Sequence, residues 1–402
     1  MTASDRPIPP QSGSGVGIAL PTSTAAPGSP LRIADANSRR ASLTLAFAQP
    51  GDTLLYLLLP LHHDVFGVSL AEAGLLLAAN RLVRIAGYGW VARFYAERGP
   101  RTACLLAAAG SLLSTAGCAL LSGVWGLLAA RILWGLSFAA MNIATQALAT
   151  AELEGAARRS GRMRSMVAAG PFLGLVIGAL VDQLAGPRAA FFVLAAAAIV
   201  AFAFAIRLPR EGEGRPERLG RPRFRLPSRL DAWSFIQGMT LDGLFVIGLS
   251  VLAAAALPSY AALAAGAALA LRYIAEIALG PAGGGLAQRF GPRRVLTLLS
   301  VSTAIGLAVI GLGALWTGAL VIVCLRGLIQ PIPGPVVALE NPGRERVPAL
   351  AALATWRDLG AGTGPILAGA LLPLVPHPAL YGGAALLLAA SAMAVARRSE
   401  QR

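Results

Sequence analysis

Three stretches of this chain, Ala189 to Ile206, Val295 to Leu325 and Pro378 to Ala396, contain no charged residue. A bilayer crossing needs about 20 apolar residues, so the middle stretch is long enough to cross, turn and return. Charged residues make up 13% of the chain, where a soluble domain carries about 25%. Inside hydrocarbon every backbone polar group must find its partner within the protein, and helices do this alone. The sequence therefore predicts an all-α integral membrane protein that crosses the bilayer many times.

The net charge of +15 raises nucleic acid as a partner, but its placement argues against one. Arginines gather in short segments between apolar runs: Arg98 and Arg101, Arg158 to Arg164, Arg207 to Arg229, Arg289 to Arg294, Arg344 and Arg346, and Arg397 to Arg402. Those segments are every second gap. The gaps between them, near His62-His63, Ser122, Asp182, Pro258, Trp316 and His377, hold only Arg188. This is the positive-inside pattern, with an even number of spans and both termini cytoplasmic. It reads as a multi-pass protein of the cytoplasmic (inner) membrane.

All 34 basic residues are arginine. Without lysine there is no P-loop Lys to hold ATP phosphates and no Schiff-base Lys, so transport by this chain alone has to run on a gradient. Cys104, Cys118 and Cys324 lie in apolar runs at unrelated spacings, which suggests neither disulfides nor a metal site. No cofactor is expected.

Much of what is chemically unusual in the first half recurs in the second. Asp52 returns as Asp242 (242 − 52 = 190) and Arg131 as Arg326 (326 − 131 = 195). Between those offsets Arg81 returns as Arg272, Gly99-Pro100-Arg101 as Gly291-Pro292-Arg293, and Gly170-Pro171 as Gly364-Pro365. Landmarks in one order at near-constant spacing indicate two copies of one unit. Paired membrane halves place a binding site at their interface. Twelve helices are predicted, at 42–62, 70–92, 102–121, 124–149, 164–184, 188–207, 232–255, 260–281, 294–313, 316–338, 349–373 and 378–396. Residues 1–40 read as a disordered cytoplasmic tail and not as a signal peptide. Residues 41–207 and 232–397 are the two six-helix bundles, 208–231 a basic cytoplasmic linker, and 398–402 a cytoplasmic tail.

Charge is unevenly shared among these helices. Helices 3, 6, 9 and 12 have no ionisable residue in their cores. The others carry Asp52; Arg81 and Arg84; Arg131; Asp242; Arg272 and Glu276; Arg326; and Arg357 and Asp358. Each such group costs about 2.5–3.5 kcal/mol at the bilayer centre. Exposing all ten to lipid would cost on the order of 25–35 kcal/mol, more than the net stability of a fold. They are expected to share one polar interior while every third helix faces lipid.

At this point the chain resembles the major facilitator superfamily, over residues from about 41 to 398. Gly284-Gly285-Leu286-Ala287-Gln288-Arg289-Phe290-Gly291-Pro292-Arg293-Arg294 is similar to that family's cytoplasmic G-x-L-a-D-r-x-G-r-k signature, departing at Gln288, where the family usually has Asp. Glu97-Arg98-Gly99-Pro100-Arg101 is a shorter first copy. Arg131-Ile132-Leu133-Trp134-Gly135 resembles R-x-x-q-G, with Trp134 in place of Gln. Gly170-Pro171-Phe172-Leu173-Gly174 resembles the core of G-P-x-x-G, the motif associated with antiporters, and Gly360, Gly364, Pro365 and Gly369 form a fuller version in helix 11. The resemblance implies two six-helix halves, a role for Arg131 in proton handling, and gating by the motif loops at Glu97, Arg98, Gly99, Arg101, Gly284, Arg289, Gly291 and Arg293.

Individual residues leave alternatives open. Asp52 follows Pro50-Gly51 near the expected midplane, where proline and glycine open backbone carbonyls beside a carboxylate. Asp52 with Arg81 or Arg84, and Asp242 with Arg272, are either structural ion pairs or parts of a proton pathway. Arg272 and Glu276 share a helical face and can satisfy each other. Arg357 and Asp358 are adjacent and diverge. Arg131 and Arg326 have no acid one turn away on their own helices, and helix 10 continues through Gln330-Pro331-Ile332-Pro333, where a break is expected. Gln330, Gln49, Gln237, Asn80 and Trp134 can add polar or stacking contacts. Six interior arginines face four carboxylates, which favours an organic anion as ligand.

The sequence thus predicts a proton-coupled secondary transporter of a small organic solute, an exporter or antiporter working by alternating access. Its partners are the solute, protons and the bilayer, and it is read as a monomer. The alternatives are an importer or symporter of the same fold, and a non-transporting scaffold or sensor. An enzyme is disfavoured. There is no HExxH, no nucleophile elbow, and His62, His63 and His377 all fall in non-cytoplasmic loops.

Overall fold

The computed structural model describes residues 29–210, 227–256 and 261–397, and every regular element among them is helical. Helix 1 is built from Pro30–Ala48 and Pro50–Leu61. Helices 2 and 3 share the segment Leu70–Leu120, divided at Gly99, whose φ of 76° is outside helical geometry. Helices 4, 5 and 6 are Val124–Ala149, Ala156–Ala185 and Pro187–Ala205. Helix 7 comprises Arg229–Gln237, Gly238–Leu244 and Phe245–Ala256, helix 8 is Ala261–Phe290 and helix 9 is Pro292–Gly311. Helix 10 joins Leu315–Ile329 to Pro333–Glu340, and helices 11 and 12 are Arg346–Leu371 and His377–Ala396. The all-α, twelve-helix layout in two bundles is as expected.

Several boundaries differ from the sequence reading; helix 8 runs on to Phe290 instead of ending at 281, so Gly284 and Arg289 of the expected loop are helical. Helix 1 begins at Pro30, so residues 30–40 of the expected disordered tail are helical, while 1–28 lie outside the described residues. Proline suits a first helical position, Ala34, Ser38 and Ala41 are buried, and Arg40 Nη1 donates to the Arg207 carbonyl at 2.8 Å. Helix 5 begins at Ala156 rather than 164, which carries Arg164 two turns inside. Helix 7 begins at Arg229, behind a capping box between Ser228 and Asp231, so it takes in the end of the expected linker. Residues 211–226 of that linker and 398–402 of the C-terminal tail lie outside the described residues.

The outer surface follows the charge distribution. Leu106 and Leu113 on helix 3, Phe192 and Ile199 on helix 6, Leu298 and Ile305 on helix 9, and Leu386 and Met393 on helix 12 are all exposed. Apolar side chains pointing away from the protein fit a lipid boundary. Inside each half, glycines bring helices into backbone contact. A methyl group at Gly170 would strike the Ala46 carbonyl, and one at Gly174 would stand 2.7 Å from Pro50 Cα, so helix 5 lies directly on helix 1. In the second half a methyl at Gly360 or Gly364 would strike the Phe235 or Met239 carbonyl, so helix 11 lies on helix 7 in the same way. The Gly-Pro motifs therefore sit at equivalent seams of the two halves.

Irregular backbone clusters at one depth. Helix 1 is interrupted at Gln49, three residues before Asp52. Helix 7 is π-helical over Gly238–Leu244, the stretch that contains Asp242. Helix 10 breaks at residues 330–332, four residues past Arg326. A π-stretch inside an α-helix often marks a functional position, and here each irregularity adjoins a buried charge.

Candidate functional site

The interior charges pair between helices 1 and 4 and between helices 7 and 10. Arg131 Nη1 donates to Asp52 Oδ1, which also accepts from Asn80 Nδ2 at 3.4 Å. In the second half Arg326 donates to Asp242 Oδ1 through Nε at 3.0 Å and Nη2 at 2.6 Å. Both arginines are 1% exposed. The expected pairs, Asp52 with Arg81 or Arg84 and Asp242 with Arg272, do not form. Arg81 and Arg84 point across to helix 11, and Arg131 and Arg326 reach the acids first from the neighbouring helix.

The same competition separates Arg272 from Glu276. Glu276 accepts from Arg326 Nη1, so the expected i,i+4 pair is replaced by a link between helices. Arg357 and Asp358 do diverge. Arg357 Nη2 reaches Asp242 Oδ2 at 3.3 Å, while Asp358 Oδ2 lies 2.9 Å from Arg84 Nε.

That last pair joins the two halves. Arg84 Nη2 donates to Asp358 Oδ1 at 3.2 Å, the Tyr88 hydroxyl donates to Oδ2 at 3.1 Å, and Arg81 Nη1 donates to the Ala361 carbonyl at 2.5 Å. Toward the arginine-rich face the contact continues. Arg346, buried at the start of helix 11, donates to the Thr150 and Ala151 carbonyls at 2.9 and 3.1 Å. On the other side of the bundle helix 5 lies on helix 8: Ser165 Oγ donates to the Ile277 carbonyl at 2.7 Å. A methyl at Gly161 would stand 2.7 Å from the Gly280 carbonyl, and one at Gly284 2.9 Å from Gly161 Cα. The halves are thus closed together at the arginine-rich face.

Beyond this closure lies a cavity of about 740 Å³ between the halves. Ten of the eleven interior residues singled out from sequence line it: Asp52, Arg81, Arg84, Asp242, Arg272, Glu276, Arg326, Gln330, Arg357 and Asp358. Arg131 sits directly behind Asp52. Pro171 and Pro365 also line the wall, as do Tyr56 and Leu57, which are 41% and 38% exposed on the side away from the closure.

Sequence reasoning missed Arg164, which it counted with the basic segment at the expected start of helix 5. It lines the cavity from helix 5 and shares it with Arg357, Glu276, Arg326 and Asp242. The available signal was the spacing Gly161, Ser165, Ala168, a helical face that continues upstream of residue 164. Tyr88 and Arg346 were also missed, because their partners come from the other half.

The loop motifs divide in role. Gly284 belongs to the helix 5–helix 8 seam. Gly291 has φ of 89°, and Arg293 Nη2 donates to Glu340 Oε1 at 2.5 Å, bracing helix 10 within its own half. Arg289 lies 5.1 Å from the Phe290 ring centroid. In the first copy Glu97 pairs with Arg93 at 2.7 Å, Arg98 is exposed, and the Arg101 amide donates to the Pro209 carbonyl at 3.3 Å. Among the described residues no cluster of His, Cys, Asp or Glu has the makings of a metal site.

Two six-helix membrane bundles closed over a charged, solute-sized cavity define a membrane transporter. The sequence pattern of the Major Facilitator Superfamily matches residues 41–263, more than half of the sequence, and the chain belongs to that family. Its fold is similar to that of the human organic anion transporter MFSD10 (TETRAN), with a TM-score of 0.74 at 16% identity, covering 91% of this chain and 100% of that one. It is also similar to the E. coli fucose:proton symporter FucP, with a TM-score of 0.71 at 14% identity and coverage of 92% and 98%. A bacterial homologue of the iron transporter ferroportin, in an outward-facing state, gives 0.63 at 13% identity and coverage of 89% and 97%. Among curated proteins none matches the sequence significantly.

Proposed function

We propose that the chain is a proton-linked secondary transporter that moves a small organic anion by alternating access. The observation that carries this reading is the charge around the cavity. Among the described residues, Arg81, Arg84, Arg164, Arg272, Arg326 and Arg357, with Arg131 behind the wall, stand against four acids: Asp52, Asp242, Glu276 and Asp358. Guanidinium groups do not shed their protons in proteins, so an anion is the natural complement. The similarity in fold to MFSD10, an organic anion transporter, agrees with this choice. The positive-inside pattern assigns the arginine-rich face to the cytoplasm, which makes the present conformation outward-facing.

The arrangement of carboxylates supports a sign for the coupling. An entering anion competes with Asp242 and Glu276 for Arg326 and Arg357. A carboxylate that loses its arginine gains a proton more readily, so anion and proton binding reinforce each other. That linkage corresponds to cotransport. The second reading, export in exchange for protons, is favoured by the resemblance of Gly170-Pro171 to the antiporter motif.

Proteoliposomes test both. Uptake of radiolabelled organic anions is measured under imposed pH gradients of either direction. Acceleration when protons and solute enter together supports cotransport, and acceleration when protons run opposite to the solute supports exchange. No flux of any anion tested removes the reading.

A further inference from the structure

Two of the cavity arginines stand apart from the rest. Arg272 on helix 8 and Arg164 on helix 5 have no ion-pair partner among the described residues, and the Nε of each is buried without a hydrogen-bond acceptor. The acids nearest them are already engaged. Glu276, one turn along from Arg272, accepts from Arg326, and Asp242 accepts from Arg326 and Arg357. Arg272 is left against the Tyr273 ring, 5.7 Å from its centroid.

The two come from different halves, at a place where the halves touch. Ser165, the residue after Arg164, is tied to the Ile277 carbonyl at 2.7 Å. Arg272 lies five residues before Ile277, about 7.5 Å along the helix axis. Both side chains line the same cavity, and the Ser165–Ile277 contact holds their two helices side by side.

The local charge can be counted by contact. The Arg131–Asp52 and Arg84–Asp358 pairs are each neutral, and Arg81, which keeps its positive charge, contacts the Ala361 carbonyl and no acid among the described residues. Apart from these stand Arg164, Arg272, Arg326 and Arg357 around Asp242 and Glu276, four positive charges against two negative ones. A singly charged ligand would leave one guanidinium uncompensated in a poorly solvated place, where an unpaired charge is costly. A doubly charged ligand balances the group and gives each uncommitted arginine a carboxylate or phosphate to fork onto.

We infer that the cavity is built for a doubly charged organic anion that bridges the halves through Arg164 of the first and Arg272 of the second. This rests on the organic-anion reading above and sharpens it to a charge class. Bridging also gives the ligand a mechanical part. Helix 5 and helix 8 meet through glycine and backbone carbonyls, and a dianion spanning them strengthens that contact while it is bound.

The test uses the full-length protein purified in detergent and three dianions: succinate, adipate and phenyl phosphate. Each is set against its singly charged methyl ester, and binding is measured by thermal shift and by titration calorimetry. The expected result is that at least one dianion binds ten-fold or more tighter than its own ester. Arg164→Gln and Arg272→Gln are each expected to shrink that ratio to about three-fold or less. They should do so without lowering the unfolding temperature of the free protein, because neither arginine holds a structural partner. Esters that bind as tightly as their dianions overturn the inference while leaving organic-anion transport in place. Failure of every anion to bind overturns both. If a variant unfolds, the dianion-to-ester ratio of the unaltered protein still decides the matter.

Discussion

Arg326 stands to Asp242 as Arg131 stands to Asp52, each guanidinium reaching from the fourth helix of its half to a carboxylate on the first. The two are not equally provided for. Arg131 has one acid and an Nη2 that is buried without a partner, whereas Arg326 has Asp242 and Glu276 together. The halves repeat a frame and differ in how firmly it is charged.

That asymmetry predicts unequal costs. Asp52→Asn leaves Arg131 with no counter-charge and is expected to lower stability by about 3–5 kcal/mol, the usual result of stranding a buried ion. Asp242→Asn is expected to cost less, because Arg326 keeps Glu276. Adding Arg131→Gln to Asp52→Asn should recover at least half of the loss. Denaturant unfolding of the four variants in a double-mutant cycle measures each term.

The seam of helices 5 and 8 predicts a conformational variant. Gly284→Leu puts a side chain where only a methyl-free backbone fits and should hold the arginine-rich face open. The readout is the labelling rate of a cysteine introduced at Gln146, using an impermeant thiol reagent applied from that face. A rise of several-fold is expected, and an unchanged rate means the seam is not the barrier.

Arg84 and Asp358 predict a charge-reversal rescue. Arg84→Asp or Asp358→Arg alone places like charges together and should slow transport by about tenfold or more, the effect of losing roughly 1.4 kcal/mol. Combining the two restores opposite charges between helices 2 and 11. Flux returning toward the unaltered rate in the double variant is the expected outcome, and a double variant as slow as either single one counts against a latch.

Glu276 predicts a split between movement and coupling. Glu276→Gln keeps a hydrogen-bonding group beside Arg326 but cannot exchange a proton. Anion exchange across proteoliposomes is expected to persist, while accumulation driven by an imposed pH gradient is expected to fall to background. Accumulation equal to that of the unaltered protein would place the proton elsewhere.

What the sequence revealed, and what it withheld, follows from the range over which each signal acts. Charge-free runs and alternating arginine loops are local, and they gave the helices and their order. The repeat of Asp52, Arg131 and Gly170-Pro171 gave the two halves because duplication leaves a fixed offset. Which arginine takes which acid depends on helices that meet only after folding. Asp52 was therefore matched to its neighbours Arg81 and Arg84 when its partner lies on helix 4. Arg164 was lost for a different reason: four arginines within one basic segment hid the helix start at Ala156. The π-stretch around Asp242 has no sequence mark beyond two glycines, Gly238 and Gly243, which serve close packing against helix 11.

A π-turn holds more residues than an α-turn over the same length of axis. Winding Gly238–Leu244 into ordinary α geometry would feed one residue of slack into helix 7 and turn everything beyond it by about 100°. Asp242 would swing off Arg326 while the helix stayed intact. A carboxylate mounted on such a coil can change partners by rotation alone, with no strand of backbone laid bare to lipid.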